Sequence, residues 1–113
     1  MPFKERLKEI IEDWFHSDLD IQFILKRGRE KLLCSFESDA WYEHINDPER
    51  GVTVKSIRHG GERRRLIAWE GSDRIYEEIT NYLNRLYTKD ELLSLVEELN
   101  ESYQILSPPF PYP

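Results

Sequence analysis

The chain contains one cysteine, Cys34, so it can form no internal disulfide and must be held together by its core; this agrees with a reducing, cytoplasmic setting. No apolar run exceeds four residues, far short of the ~20 that a membrane-spanning helix needs. The opening MPFKERLKEIIEDW alternates charged and apolar residues and lacks the apolar centre of a signal peptide. Neither secretion nor membrane insertion is expected. The three histidines and the cysteine fall in four separate segments, without the close spacing of zinc ligands. No GxxxxGK followed by Ser or Thr is present, so no phosphate-cradling loop is expected. No cofactor is implied. Ala and Gln occur only twice each among abundant Glu, Lys and Arg, a bias shared with thermophile proteins.

What remains is ordinary for a folded domain: 113 residues, 39% apolar, 34% charged and a net charge of −6. Such a length buries roughly 65% of the unfolded surface, and composition shows no break, so one domain is expected over residues 1–106 with a Pro-rich tail over 107–113.

Phe3, Leu7, Ile10, Ile11, Trp14 and Phe15 recur at helical spacing and predict a helix over 2–16. Leu19, Ile21, Phe23 and Leu25 alternate with Asp20, Gln22, Ile24 and Lys26, and Leu32, Cys34 and Phe36 alternate on the return. This predicts two antiparallel strands joined at Lys26-Arg27-Gly28-Arg29, with Cys34 facing the core. The segment 38–50 reads as a connector with a short helix in AWYEHI. Beyond Ser72, the residues Ile75, Ile79, Tyr82, Leu83 and Leu86 predict a second helix. Thr88 and Glu91 have the spacing of a capping box and start a third helix, with Leu92, Leu95, Val96 and Leu99 as its stripe.

The strongest chemical bias lies in VTVKSIRHGGERRRLIAW. Two β-rich runs flank Gly60-Gly61, so the segment predicts a hairpin whose tip carries Arg58, His59, Glu62, Arg63, Arg64 and Arg65. The expected fold is therefore α+β: a four-stranded antiparallel sheet, in the order helix, two strands, connector, two strands, two helices, with the helices on one face. In such a meander the tips bearing Lys26, Arg27, Arg29 and Lys31 and bearing Arg58, His59, Arg63, Arg64 and Arg65 meet at one end. A basic edge of that kind suits phosphate, nucleic acid or an acidic protein, since each guanidinium offers a planar fork to an oxyanion. His59 beside these arginines is a candidate general acid or base, and the tip residues also read as plain solvated turn residues. The opposite end would gather Asp18, Asp20, Glu37 and Asp39, where a hard cation is one reading and ordinary turn formation the other; no metal site is assigned.

Three tryptophans and six tyrosines exceed what one small core readily hides. Tyr76 and Tyr87 beside the second helix's stripe, with Phe110 and Tyr112 in the tail, form the candidate partner interface and motivate a homodimer. The functional expectation is a small acidic, non-enzymatic protein-interaction module: a regulator, inhibitor or assembly factor. A nucleic-acid-binding protein or nuclease using the basic edge is the alternative. No membrane partner is expected.

Overall fold

The structure, a computed structural model, describes residues 2–109; the side chains of residues 52–54 are not described. Phe110 and Tyr112 lie outside the described residues. In chain order the elements are α1 (Phe3–Trp14), β1 (Ile21–Arg27), β2 (Glu30–Ser38), β3 (Trp41–Asp47), β4 (Val52–His59), β5 (Arg64–Gly71), α2 (Asp73–Glu78), β6 (Leu86–Tyr87), α3 (Lys89–Ser102) and β7 (Gln104–Leu106). The class is α+β with antiparallel pairing, but the sheet has five strands in the order β6-β5-β2-β1-β7, and β3 and β4 form a separate two-stranded ribbon.

The helices form where periodicity and caps place them. Leu7, Ile11 and Phe15 of the first helical stretch are buried, and Trp14 at its end stays exposed. Thr88 accepts the Glu91 amide on its side chain while the Glu91 carboxylate accepts the Thr88 amide, closing the capping box that starts α3. Leu92, Leu95, Val96 and Leu99 then face inward. Inward residues of the strands, Ile21, Phe23, Leu25, Leu32, Cys34, Phe36, Leu66 and Ile105, meet these helical stripes in one core. The rings of Phe23 and Phe36 lie 4.7 Å apart across β1 and β2. Cys34 is among the fully buried residues, and burial pushes its thiol up to about 12, which leaves it unreactive as a nucleophile.

Three expectations change. AWYEHI is strand, not helix: its residues pair one for one with β4, from Trp41 opposite His59 to Ile45 opposite Lys55. The second helix is only six residues long, because the chain passes into a 3-10 turn at Thr80–Tyr82 and then a left-handed Asn84, at φ 61°, that directs Leu86–Tyr87 onto the sheet edge. Gln104–Leu106 extends the sheet beside β1, so the chain directly before the tail is a strand.

The largest correction concerns the hairpin. VTVKSIRH and RRLIAWEG are both strands, yet they do not pair with each other: the first turns back on β3 and the second on β2. Asp39 fixes this routing. Its amide donates to the Arg63 carbonyl at 3.1 Å, and its carboxylate accepts the Gly61 amide at 2.8 Å, so the chain re-enters the sheet beside the point where it left. Gly60 and Gly61, both at positive φ (73° and 89°), permit that re-entry. The β3–β4 ribbon is thus an excursion inserted at the tip of a β2–β5 hairpin.

Arg64 locks the junction. It shares the inward parity of Leu66 on β5 and is completely buried. Its five guanidinium N–H groups have five main-chain acceptors: Nε donates to Phe15 O (3.1 Å), Nη1 to Leu19 O (2.9 Å) and Phe36 O (2.7 Å), and Nη2 to Trp14 O (2.9 Å) and Ser17 O (2.8 Å). Three of these carbonyls follow the last turns of α1, where backbone acceptors lack helical partners and the macrodipole favours a cation. Desolvation lowers the pKa of Arg64, but Asp20 and Asp18 oppose that shift. Arg64 is therefore not a solvated turn residue.

A second polar junction joins the other end of the sheet to α2. Arg27 grips Glu78 with both nitrogens (2.8 and 2.9 Å), and the Tyr103 hydroxyl donates to the same carboxylate. Chiefly through Arg27, and then through Tyr103, Glu78 is held down at about 2.

Two outcomes are expected. Arg64→Met removes five hydrogen bonds to main-chain carbonyls, of which that of Trp14 keeps other donors in the Ser17 amide and hydroxyl, and should cost about 3 to 5 kcal/mol in chemical denaturation, whereas Arg64→Lys, which keeps the charge but not the fork, should lose about 2 kcal/mol. Because the folded-state pKa of Glu78 lies below its ordinary 4.5, its contribution is complete above pH 4.5 and is lost as pH falls towards about 2. A Glu78→Gln variant should therefore show a flatter acid limb than the wild type over that window in pH-dependent unfolding.

Candidate functional site: the projecting ribbon

In the antiparallel β2–β5 pair, Ser38 stands opposite Arg64, so β5 begins at the end of the sheet far from the β1–β2 turn. Eight residues of β2 separate the two ends, about 26 Å at strand rise, which is more than twice the ~8–10 Å screening length of physiological salt. The two basic tips are therefore not neighbours. Lys26, Arg27 and Arg29 lie at one end, where Arg27 is committed to Glu78 and lies 3.8 Å from Glu30. Arg58, His59, Arg63, Arg64 and Arg65 lie at the other, where Arg64 is interior and Arg65 stands opposite Glu37 in register. Of the partner-interface candidates, Tyr76 is exposed, while Tyr87 is buried and its hydroxyl donates to the Tyr82 carbonyl.

The acidic residues do come to the end opposite the β1–β2 turn, as the pairing of Ile21 with Phe36 requires. They are used individually. Asp18 accepts Arg58 Nε and Nη2, each at 3.1 Å, together with the Tyr42 hydroxyl, and Asp39 holds the Gly61 amide. Among the described residues no group of three His, Cys, Asp or Glu side chains is placed to hold a metal ion.

These contacts orient the ribbon. Opposed residues of an antiparallel pair share a face, so Tyr42 and Arg58 lie on one face and Trp41, Glu43, Ile45, Lys55, Ile57 and His59 on the other. The Tyr42–Arg58 face is anchored at its base by Asp18 and by Arg58 donating to the His16 carbonyl at 3.3 Å. The other face consequently points away from the body. On it the His59 ring stacks on Trp41 at 4.4 Å and an interplanar angle of 19°, and Nε2 lies 3.0 Å from the Glu43 carboxylate. His59 thus serves as a packing partner of Trp41 next to an acid, not as a member of an arginine cluster.

Trp41 is 58% exposed, Tyr42 45% and Ile45 39%, and six of the seven residues of β3 are exposed. An isolated two-stranded ribbon is at best marginally stable in water, and its apolar side chains gain free energy only when covered. Sequence reasoning missed this site because AWYEHI carries turn formers on both sides and the Trp41 to Ile45 spacing fits a helix. The signal for strand was the aromatic and β-branched content of Trp41, Tyr42 and Ile45 together with the matching VTVKSI run.

The Asp18 clamp yields a prediction. The Tyr42 hydroxyl and then Arg58 hold the Asp18 carboxyl below its ordinary 3.8, so the clamp is complete above that pH and weakens as acid protonates it. Asp18→Ala should leave global stability nearly unchanged, since the pair is exposed, while ribbon amides such as Ile57 exchange faster by NMR than in the wild type. Unchanged ribbon exchange would show that the clamp is dispensable. No protein-family model matches the chain, and no significant match was found among curated proteins or solved structures, so the role of this ribbon must be argued from its chemistry.

Proposed function

We propose that the protein is a small non-enzymatic interaction module that presents the outward face of the β3–β4 ribbon to a protein partner. The observation that carries this reading is the exposure of Trp41 and Ile45 on one face of an arm whose other face is anchored to the body through Tyr42, Arg58 and Asp18. Exposed aromatic side chains interleaved with both signs of charge, here Glu43 and Lys55, have the composition of a partner-facing surface. Full burial of Trp41 and Ile45 against a partner would supply about 1.5–3 kcal/mol for each side chain. A regulator or inhibitor acting by occupancy needs a projecting arm of this kind and no catalytic group. The alternative, a nucleic-acid edge, loses its geometric basis once the two basic tips stand at opposite ends and Arg64 is interior.

The test is affinity capture from host lysate with wild type and with Ile45→Asp, each with and without nuclease. A partner retained by the wild type after nuclease and lost by Ile45→Asp supports the reading. A partner released by nuclease, or held equally by both chains, overturns it. Light scattering on the same samples separates a second copy, at twice 13.6 kDa, from a foreign partner.

A further inference from the structure

The outer edge of β5 is only half covered. β6 pairs with Arg64 and Arg65 alone, and the Asn84 amide then donates to the Leu66 carbonyl at 3.0 Å. From Ile67 onward no described strand lies on that side. Ala68 stands opposite Cys34 and shares the parity of Leu66, so by strand alternation its N–H and C=O point outward as the Leu66 carbonyl does. An open pair of backbone groups of this kind is a template for another strand. The register shift at Leu33/Cys34 breaks regular pairing there, which limits the template to a short segment.

The turn after β5 builds a wall beside this edge. Gly71 sits at φ 130° where a Cβ would stand 2.2 Å from the Lys31 carbonyl oxygen, so the chain can turn this tightly only at glycine. The Ser72 amide donates to that carbonyl at 2.7 Å, and the Ser72 hydroxyl caps α2 by accepting the Ile75 amide. Between the edge and α2 lies a cavity of about 270 Å³ lined chiefly by Leu32, Ala68, Trp69, Glu70, Asp73 and Tyr76. That is below the ~300–1,000 Å³ of small-molecule sites and suits one or two side chains. Trp69 (45% exposed) and Tyr76 (42%) supply aromatic walls, Glu70 and Asp73 supply negative charge, and no Lys or Arg lines it. Arg74, the adjacent cation, acts on Glu78.

We propose that this groove takes a short extended peptide of a protein partner, added as a strand to the outer edge of β5 at Ala68. A bulky apolar side chain of the peptide seats between Trp69 and Tyr76, and basic residues flank it. Main-chain hydrogen bonds to Ala68 give the affinity, the aromatic walls select the anchor, and Glu70 and Asp73 select the flank. This site is separate from the ribbon and does not depend on it.

The probe is a synthetic peptide of alternating lysine and threonine around one central leucine, titrated into the full chain and followed by NMR. Expected are shifts of the Ala68 amide, the Trp69 indole and Tyr76, slower exchange of the Ala68 amide, and affinity that falls with added salt. Ala68→Pro removes the outward N–H without removing a β2 ladder bond, and Tyr76→Ala removes a wall at an exposed position. Each should weaken binding at least about tenfold, equal to about 1.4 kcal/mol, as should leucine to alanine or lysine to glutamate in the peptide. Ile45→Asp should leave it unchanged, so failure here and failure of the ribbon reading are distinguishable. The proposal is overturned by the absence of shifts at millimolar peptide, by shifts confined to other surfaces, or by wild-type affinity in both variants. An Ala68 amide already protected in a free protein of doubled mass would give the edge to a second copy and also overturn it.

Discussion

Five backbone carbonyls with one guanidinium among them set the arrangement of this molecule. Trp14 ends α1 and Phe15 and Ser17 follow it, Leu19 lies in the approach to β1, and Phe36 belongs to β2; Arg64 of β5 donates to all of them at once. A lone cation in an apolar interior costs several kcal/mol, and the cost is offset only when every donor finds an acceptor. Here all five do. The guanidinium also lies 5.7 Å from the centre of the Phe15 ring, within the range of a cation–π contact. One side chain thereby fixes the crossing of a helix end, a loop and two strands, and that crossing determines where β5 must start.

The start of β5 determines the ribbon. Once Arg64 is anchored opposite Ser38, the chain between them has to leave the sheet and return to nearly the same place. Antiparallel pairing of β3 with β4 is the means of return, and Asp39 and Asp18 close its base from two sides. Two of the four acids expected to gather at this end have these structural roles: Asp39 holds backbone amides and Asp18 holds Arg58. Charge that looked like a binding surface in sequence is spent on internal joints: Arg58 on Asp18, Arg27 on Glu78, Arg64 on main chain.

With Arg27, Arg58 and Arg64 engaged in the fold, the exposed groups proposed to meet a partner are chiefly aromatic and apolar: Trp41 and Ile45 on the arm, Trp69 and Tyr76 beside the uncovered edge of β5. The two sites lie at opposite ends of the body, because the arm leaves at the Ser38–Arg64 end and α2 begins at the Leu32–Gly71 end. On the two proposals made above, the module would hold one protein through its arm and a peptide through its edge.

Local pattern decided much of the body. The stripe of Leu7, Ile11 and Phe15, the alternation that buries Phe23, Leu25, Cys34 and Phe36, and the Thr88–Glu91 capping box were all legible, because helix faces, strand faces and caps depend on residues a few positions apart. The β1–β2 hairpin was legible for the same reason, through Gly28. Strand partners were not. VTVKSI and LIAW have the composition of strands whichever neighbours they choose, and Gly60-Gly61 permits a hairpin as readily as a re-entry. What chose between them was the burial of Arg64 and the hydrogen bonds of Asp39, contacts made across 22 residues or more of chain. The parity of Arg64 with Leu66 was the one local sign of an inward arginine, but a charged residue beside a glycine turn reads as solvated unless its acceptors are known. Sequence therefore settled most of the core, though Trp14, Leu19 and Leu86 of the expected apolar faces are exposed, and only the tertiary structure decided which strands meet, which charges are spent in holding them, and which side chains remain exposed, because each of those outcomes depends on groups that come together only after the chain has closed on itself.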